Sequence, residues 1–225
     1  MYREVELKWK IRSLDSFQAA LWKLAVSSEC VRTFRKYRPE LRGISAREIR
    51  AKEGPNILGT CRRVFERNTM FVTPNGQEVR LRMIGKHGVD TATRTFELTV
   101  KHPVQDPVFQ VRDETTLLLG NQQHGNEIMH FLRVLGWQET DVYECQRTDM
   151  KISGVVISLR EFPVLGNWIE IEGTPDDIRR VAKVLGLSMD KAVNVGWRTI
   201  WKNFCEKNPG YDPHRLMRGA TRGRK

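Results

Sequence analysis

Hydrophobic and polar residues alternate along much of the chain with the two-residue period of a β-strand. Residues 2–10 give the first example, because Val5, Leu7 and Trp9 share one face and charged residues share the other. Similar or otherwise β-rich segments predict seven further strands, at 61–72, 79–84, 94–101, 109–117, 137–148, 152–160 and 167–173. Short turns separate most neighbouring strands, which predicts an antiparallel sheet or barrel.

Apolar residues spaced three or four positions apart predict helices between and after these strands. They lie at 14–26, 126–135, 174–186 and 188–206. The third has the clearest start, since Thr174 can cap it, Pro175 follows and the next two residues are acidic. The expected fold class is therefore α+β, mainly β, with the helices packed outside the sheet.

The strand faces opposite the apolar ones carry charges of both signs. Their polar members are Glu4, Glu6, Lys8, Arg80, Arg82, Glu97, Lys101, Arg112, Glu114, Cys145, Arg147, Glu170 and Glu172. On a single strand, such a face is typical of a sheet surface in contact with water. Six such strands in one small domain favour a closed eight-stranded barrel with these side chains in its lumen.

A lumen lined by both signs of charge has a specific chemical use. Arginine and lysine side chains can hold a polyanion, with arginine giving bidentate contacts to phosphate oxygens. Paired carboxylates can hold a hard divalent cation together with the phosphates of a substrate. Metal plus basic side chains is the usual electrostatic arrangement for phosphoryl transfer.

Several motifs follow one another in the order of a known superfamily. Glu4-Val5-Glu6-Leu7-Lys8 resembles the ExExK signature of the CYTH superfamily, the triphosphate tunnel metalloenzymes. Downstream segments similar to the strands of that superfamily lie at 65–74 with Gly76, 79–82, 98–101, 112–114 and 165–173. The match in order and spacing covers about residues 2–204.

The resemblance implies a tunnel through an eight-stranded antiparallel barrel, with Mg²⁺ or Mn²⁺ as cofactor. It gives the metal ligands as Glu4, Glu6, Glu170 and Glu172, and the catalytic residues as Glu4, Glu6 and Lys8. The residues expected to bind the triphosphate are Lys8, Arg80, Arg82, Lys101, Arg112, Arg147 and Arg160. The metal would activate water, giving hydrolysis, or the ribose 3′-hydroxyl of ATP, giving cyclisation.

Two positions depart from the superfamily pattern. Where the pattern has leucine followed by a metal-holding aspartate, this chain has Leu159 followed by Arg160, and alternation directs Arg160 into the lumen. The guanidinium could weaken a metal or add a phosphate contact. A lysine-x-arginine motif appears here as Cys145-Gln146-Arg147, so one lysine is missing. A member with reduced activity, or one that only binds, is therefore an alternative.

The net charge of +11 is concentrated outside the main fold. Residues 30–63 carry ten basic and three acidic residues, and residues 206–225 carry six basic and two acidic ones. The sequence thus predicts a tunnel domain at 1–205 with a basic insertion at about 30–58, followed by a mobile basic tail at 206–225. A nucleic-acid contact is conceivable through these segments, but few aromatic residues are interleaved, so a solvated insertion is favoured.

The favoured function is divalent-metal-dependent hydrolysis of a small triphosphate, either inorganic tripolyphosphate or an organic one such as thiamine triphosphate. The alternatives are a class IV-type adenylate cyclase and a non-catalytic polyphosphate or RNA binder. No window approaches the roughly 18 apolar residues of a membrane span, and no signal peptide or cysteine-pair motif is visible. A cytoplasmic monomer or homodimer with reduced thiols is expected.

Overall fold

The computed structural model describes residues 2–12, 17, 20–21, 62–85, 94–152 and 154–218. Nine strands are present in these residues: β1 Tyr2–Lys10, β2 Arg62–Val72, β3 Glu78–Gly85, β4 Thr95–Val104, β5 Gln110–Gly120, β6 Gln138–Ile152, β7 Val155–Phe162, β8 Gly166–Glu172 and β9 Arg215–Leu216. The helices are α1 Gln122–Val134, α2 Pro175–Val184 and α3 Trp197–Lys207, with a 3₁₀ turn at Met189–Lys191.

Eight of these strands close into an antiparallel barrel, as the sequence predicts. Their order is β2-β3-β4-β5-β1-β8-β7-β6, and pairing of β2 with β6 joins the two edges. Closure leaves neither edge of the eight-stranded sheet unpaired. The short strand β9 adds to β6 in parallel, on the outside of this ring.

Several boundaries differ from the sequence-based expectation, and two of these differences change the course of the chain. The sequence predicts a turn at 149–151, but β6 runs on to Ile152 and the chain reverses beside Gly154, whose φ of 83° suits a tight turn. The sequence also predicts helix over most of 188–206. Instead Val193 pairs with Lys8 of β1 through two backbone hydrogen bonds, which holds this stretch extended until α3 begins at Trp197.

The strand register directs the charged faces inward. Directly opposite residues of an antiparallel pair share one face, and the pairs include Glu4 with Arg112, Lys8 with Glu170 and Arg82 with Glu97. The same alternation sends Leu7, Trp9, Ile169 and Ile171 to the outside. The predicted polar lumen is therefore present in the fold.

The largest hydrophobic cluster lies outside the barrel rather than within it. Helix α2 presses Ile178, Val181 and Ala182 against the outer wall, where Ile171 of β8 and Ile157 of β7 are fully buried. Thr174 caps the helix by accepting a hydrogen bond from the backbone N–H of Asp177. A smaller cluster joins α1 to the outer faces of β3 and β4. Hydrophobic burial thus holds the barrel from outside and leaves its interior for charges.

Helix α3 and the chain after it form a third cluster. This packing differs from the mobile tail that the sequence predicts at 206–225. Over 208–218 the chain packs against the barrel: Leu216 is 1% exposed, and the indole N–H of Trp201 donates to the backbone carbonyl of Asp212. The sequence-based prediction overlooked this because Leu216 is nearly alone among polar residues. The end of the predicted tail, 219–225, lies outside the described residues.

Other predicted features also fall outside the described residues. They are the basic insertion at about 30–58, Cys30, Cys61, the loop at 86–93 and most of the helix predicted at 14–26. Phe17 and Leu21 of that helix are described and buried in the cluster under α2. No helix in the described part of the chain is both long and apolar enough to cross a membrane.

The packing of Leu216 predicts that the segment after α3 contributes to stability. Leu216→Ala should lower the free energy of unfolding by about 2–5 kcal/mol, because it removes a fully buried side chain and leaves a cavity. Urea denaturation measures this. Leu118→Ala makes the same change at a residue that is 75% exposed and should have little effect. Equal effects of the two substitutions would contradict the packing of this segment.

Candidate functional site

A cavity of about 650 Å³ runs into the barrel from the end where α3 begins. This volume is within the range of small-ligand sites. Charged side chains dominate its wall: Glu4, Glu6, Glu78, Arg80, Arg82, Lys101, Arg112, Glu114, Arg147, Asp149, Arg160, Glu170, Glu172, Arg198 and Lys202. Of the site residues predicted from sequence, only Lys8 does not line it, because Lys8 is wholly buried within the wall.

Three carboxylates form a cluster with the geometry of a metal site. Glu4 and Glu6 of β1 and Glu172 of β8 each offer an oxygen, and these oxygens lie within 4.8 Å of one another. Glu6 and Glu172 are directly opposite in the β1–β8 register, which brings the two motifs together. Carboxylate oxygens are the ligands that Mg²⁺ and Mn²⁺ prefer.

Glu172 is the carboxylate in this cluster that lacks a counter-charge. No residue that the structure describes forms an ion pair with it. Burial, followed by the negative charges of Glu170, Glu4 and Glu6, raises the pKa of Glu172 above its ordinary value. A divalent cation would relieve that repulsion, so the donor set fits a hard metal ion in both chemistry and charge.

Basic side chains hold the other two members of the cluster in place. Arg112 donates from Nε to Glu4 Oε2 at 2.9 Å and from Nη2 to Glu6 Oε1 at 2.5 Å. Lys8 also donates to Glu6 Oε1, and Lys101 donates to Glu4 Oε2. These contacts converge on one oxygen of each carboxylate. They orient Glu4 and Glu6 through that oxygen alone.

The fourth predicted metal ligand, Glu170, is in a different environment. Arg160 donates to its Oε1 from Nε at 3.1 Å and from Nη2 at 2.7 Å. The indole N–H of Trp197 donates to its Oε2 at 3.0 Å, and Lys8 lies 3.7 Å from the same oxygen. Although burial opposes ionisation, Arg160 and Lys8 lower the pKa of Glu170. Glu170 is thus a charged group bound on both oxygens.

Sequence reasoning missed the central carboxylate of the tunnel. Glu66 of β2 is fully buried and accepts ion pairs from Arg147 at 2.7 Å, Arg160 at 3.0 Å and Arg82 at 3.4 Å. Burial alone would raise its pKa, but Arg82, Arg160 and Arg147 lower the pKa of Glu66 to about 2. The alternation of Glu66 with Asn68 was an available signal. It was obscured because charged Arg67 lies on the opposite face.

Cys145 lies beside this network and is not a reactive thiol. Its Sγ is 3.8 Å from Glu66 and 3.9 Å from Arg160. Burial and the nearby Glu66 raise the pKa of Cys145 to about 12. At neutral pH the group stays protonated and a poor nucleophile. The substitution of Cys145 for a lysine of the motif therefore adds no chemistry.

Arg80 is the counterpart of Glu172 among the cations. It is 8% exposed, lines the cavity and has no carboxylate within ion-pair distance among the described residues. Its Nε has no hydrogen-bond partner, and Nη2 reaches only the Thr99 hydroxyl at 3.5 Å. Burial, followed by repulsion from Arg82, lowers the pKa of Arg80, yet a guanidinium stays charged at neutral pH. Glu114 and Glu66 oppose this pKa shift from beyond ion-pair distance, so Arg80 is a candidate for binding an anion.

Helix α3 contributes residues to the site that the sequence did not indicate. Trp197, Arg198 and Lys202 face the cavity mouth, where Arg198 pairs with Glu78 and lies 2.6 Å from Asp141. The Trp197 ring packs against Phe162 and Trp168 and carries two cations, with the Lys8 Nζ 5.2 Å and the Arg160 Cζ 5.5 Å from its centroid. The helical spacing had predicted only a core role for Trp197.

Comparison with known proteins places the fold. No family model and no curated protein matches the chain. A Pyrococcus horikoshii protein has a TM-score of 0.59 at 20% identity over 91% of this chain and 99% of its own. A conserved hypothetical protein from Pyrococcus furiosus gives 0.57 at 18%, over 86% and 97%. A candidate adenylate cyclase from Vibrio parahaemolyticus gives 0.55 at 15%, over 88% and 96%. The resemblance to the triphosphate tunnel fold is confirmed at the level of the fold.

The three arginines around Glu66 predict a large, pH-dependent effect of neutralising it. Glu66→Gln should lower the free energy of unfolding at pH 7 by about 3–5 kcal/mol, because buried guanidinium groups lose their shared counter-charge. The lowered pKa of Glu66 gives stability that is present above about pH 4.5 and is lost as the pH falls toward 2. That loss is about 3 kcal/mol in the wild type. The gap between wild type and variant should therefore close in acid.

Urea denaturation between pH 7 and pH 3 measures both effects. The matched control is Glu161→Gln, which removes only a surface ion pair to Arg63 and should cost less than about 1 kcal/mol at any pH. A gap between wild type and Glu66→Gln that stayed constant down to pH 3 would contradict the ionised state of Glu66.

Proposed function

We propose that the protein is a divalent-metal-dependent phosphohydrolase that acts on a small triphosphate bound inside the barrel. One observation supports this most directly. Among the described residues, the same cavity holds one carboxylate of the cluster, Glu172, that forms no ion pair, and one buried cation, Arg80, that also forms none. A metal–triphosphate complex supplies both missing charges in one ligand.

The basic residues of the tunnel divide into two groups under this proposal. Arg80 is free to take a phosphate oxygen without giving up a carboxylate. Arg82, Arg147, Lys101 and Arg112 are each held by a carboxylate, and they face the cavity with their remaining donors. A guanidinium has five N–H donors in a planar fork, so it can bind a carboxylate and a phosphate together. The held groups fix the path of the substrate before it binds.

The carboxylate cluster would hold Mg²⁺ or Mn²⁺ through Glu4, Glu6 and Glu172. Such an ion, when bound, supplies electrostatic stabilisation of the transferring phosphoryl group and lowers the pKa of a bound water. The residues of this chain then orient the phosphates and neutralise their charge. Lys8 keeps Glu6 oriented from within the wall, since it is buried and donates to Glu6 Oε1 and to the Gln110 side chain.

Hydrolysis is favoured over cyclisation of ATP by the lining of the tunnel. Among the described lining residues, the aromatic side chains are Tyr143 and Trp197. Both are 8% exposed: Trp197 contacts Phe162, Trp168 and two cations, and Tyr143 packs against Phe162. Little aromatic surface is therefore left on which a purine could stack. Cyclisation remains the alternative to test, because the Vibrio protein of similar fold is described as a candidate adenylate cyclase.

Loss of the unpaired carboxylate should abolish turnover without loss of stability. We expect tripolyphosphate hydrolysis with Mg²⁺ or Mn²⁺ to fall at least about 100-fold in Glu172→Gln. The free energy of unfolding should stay about equal, because burial and neighbouring carboxylates raise the pKa of Glu172 to about 8, and glutamine then replaces a side chain that is largely neutral at pH 7 without metal. Phosphate release is measured with tripolyphosphate, thiamine triphosphate and ATP, and cyclic AMP is assayed in parallel. Glu127→Gln, on the outer surface of α1, is the matched control.

The products decide between the functions. Metal-dependent phosphate release that EDTA and Glu172→Gln both remove supports the hydrolase. Cyclic AMP and pyrophosphate from ATP would replace the hydrolase with the cyclase. Binding of tripolyphosphate or RNA with no turnover of any triphosphate would replace it with a non-catalytic binder.

A second variant tests the anion site separately from the metal site. Arg80→Met should weaken tripolyphosphate binding in EDTA by about 10- to 100-fold, the value of a charge-assisted contact. The free energy of unfolding should change little, because Arg80 forms no direct ion pair with a described residue and its burial already disfavours the charged form. Isothermal titration calorimetry and urea denaturation give the two values. Arg133→Met, at an exposed ion pair on α1, should change neither; unchanged binding in Arg80→Met would remove Arg80 from the substrate site.

A further inference from the structure

Arg160 is buried and forms ion pairs with two carboxylates. Its side chain is 5% exposed, and it donates to Glu66 Oε2 at 3.0 Å and twice to Glu170 Oε1. The guanidinium also lies against the face of Trp197. The group therefore bridges two carboxylates on different strands, β2 and β8, across β6 and β7.

These contacts leave Glu170 without a free oxygen for binding a metal ion. Both oxygens of Glu170 accept hydrogen bonds, one from Arg160 and the other from Trp197. In Glu4 and Glu6 the contacts converge on a single oxygen, and Glu172 has none from a described residue. The three carboxylates whose oxygens cluster within 4.8 Å are those three, without Glu170. The two glutamates of β8 therefore have different roles. Glu172 faces the carboxylate cluster, and Glu170 faces the Arg160 guanidinium.

Between Glu66 and Glu170, a guanidinium can do what a divalent ion would do, which is to bind both carboxylates. It supplies a positive charge and a planar fork of donors that reaches two carboxylates at once. Unlike a metal ion it is covalently fixed, so its charge is present before any ligand arrives. Arg147 lies directly opposite Arg160 in the β6–β7 register and shares Glu66 with it. Both guanidinium groups are therefore fixed on this wall of the tunnel by carboxylate partners, before any ligand binds.

We propose that Arg160 is a built-in cation at the position where the superfamily pattern has a metal-holding aspartate, so that the tunnel binds a single metal, at Glu4, Glu6 and Glu172. The inference rests on the proposed function, since it assigns the charges of that same site. Residues of β1 and β8 would then hold the metal, and the Arg160 guanidinium would supply the positive charge between Glu66 and Glu170. Arg160 is in this sense a determinant of metal stoichiometry.

The number of bound Mn²⁺ ions tests the proposal without any turnover. Electron paramagnetic resonance of free Mn²⁺, titrated against the protein in the absence of triphosphate, should give one tight site per chain in the wild type. Arg160→Asp releases Glu66 and Glu170 and adds a third carboxylate beside them, so it should give two sites. Two tight sites in the wild type, or still one in Arg160→Asp that is folded by circular dichroism, would overturn the proposal.

A second comparison applies even if Arg160→Asp does not fold. In the wild-type background, Glu172→Gln should weaken Mn²⁺ binding at least about tenfold, as expected for the loss of a ligand. Glu170→Gln should change the affinity less than about threefold, because Glu170 is not a ligand and its amide oxygen can still accept from Arg160. Equal weakening in both variants would return Glu170 to the metal site and overturn the proposal.

The outcome is separable from that of the proposed function. One Mn²⁺ site with no hydrolysis of tripolyphosphate would leave the assignment of Arg160 in place and remove the hydrolase. Two sites with metal-dependent hydrolysis would do the reverse. Absence of any Mn²⁺ site would remove both.

Discussion

The structure depends on the ion pairs that Glu66 makes with three arginines inside a closed barrel. Closing eight strands leaves no edge unpaired, but it also encloses whatever the inward faces carry, and here they carry charge. Arg82, Arg147 and Arg160 come from three different strands, and Glu66 lies within 3.4 Å of each. A buried guanidinium without a counter-charge costs several kcal/mol. Each arginine also pairs with a second carboxylate, which is Glu97, Asp149 or Glu170, and Glu66 is the carboxylate that all three share. It therefore joins the ion pairs of three strands into one network.

Completeness of pairing separates the structural charges of the tunnel from the functional ones. Glu66 and Glu170 have partners on both oxygens, so their charges are compensated within the protein and have little left to offer a ligand. Glu172 and Arg80 are the opposite case, since neither forms an ion pair with a described residue: burial and neighbouring carboxylates raise the pKa of Glu172, and Arg80 Nε has no hydrogen-bond partner. Buried ionisable groups without ion pairs lower the stability of the fold, and such groups are typical of sites where a ligand supplies the missing partner. The two groups without ion pairs, and not the total number of charges, are therefore the basis on which we propose a ligand position in the tunnel.

The sequence predicted the barrel and most of its lumen, because both follow from alternation within single strands. Glu4, Glu6, Arg80, Arg82 and Glu172 all lie where a two-residue period directs them. Which partner each one has depends on register and on contacts between distant strands, and no single-strand pattern contains that information. Glu66 was missed for a related reason: its strand carries Arg67 on the outer face, so charge does not mark one side. The packing of Leu216 on the barrel was missed as well, because one leucine among polar residues gives no periodicity.

The position of the hydrophobic core explains how Arg160 can occupy a site where the superfamily pattern has a carboxylate. Ile157, Ile171 and Ile178 pack on the outside of the barrel, so the lumen contributes little apolar burial. A change of side chain inside the tunnel is then limited by charge balance and not by packing volume. Arg160 reverses the sign at its position, yet Glu66 and Glu170 flank it and supply the two carboxylates that its fork requires. The exchange of an acid for a guanidinium is therefore electrostatically self-consistent, and the cation that an acid would have recruited from solution is instead part of the chain.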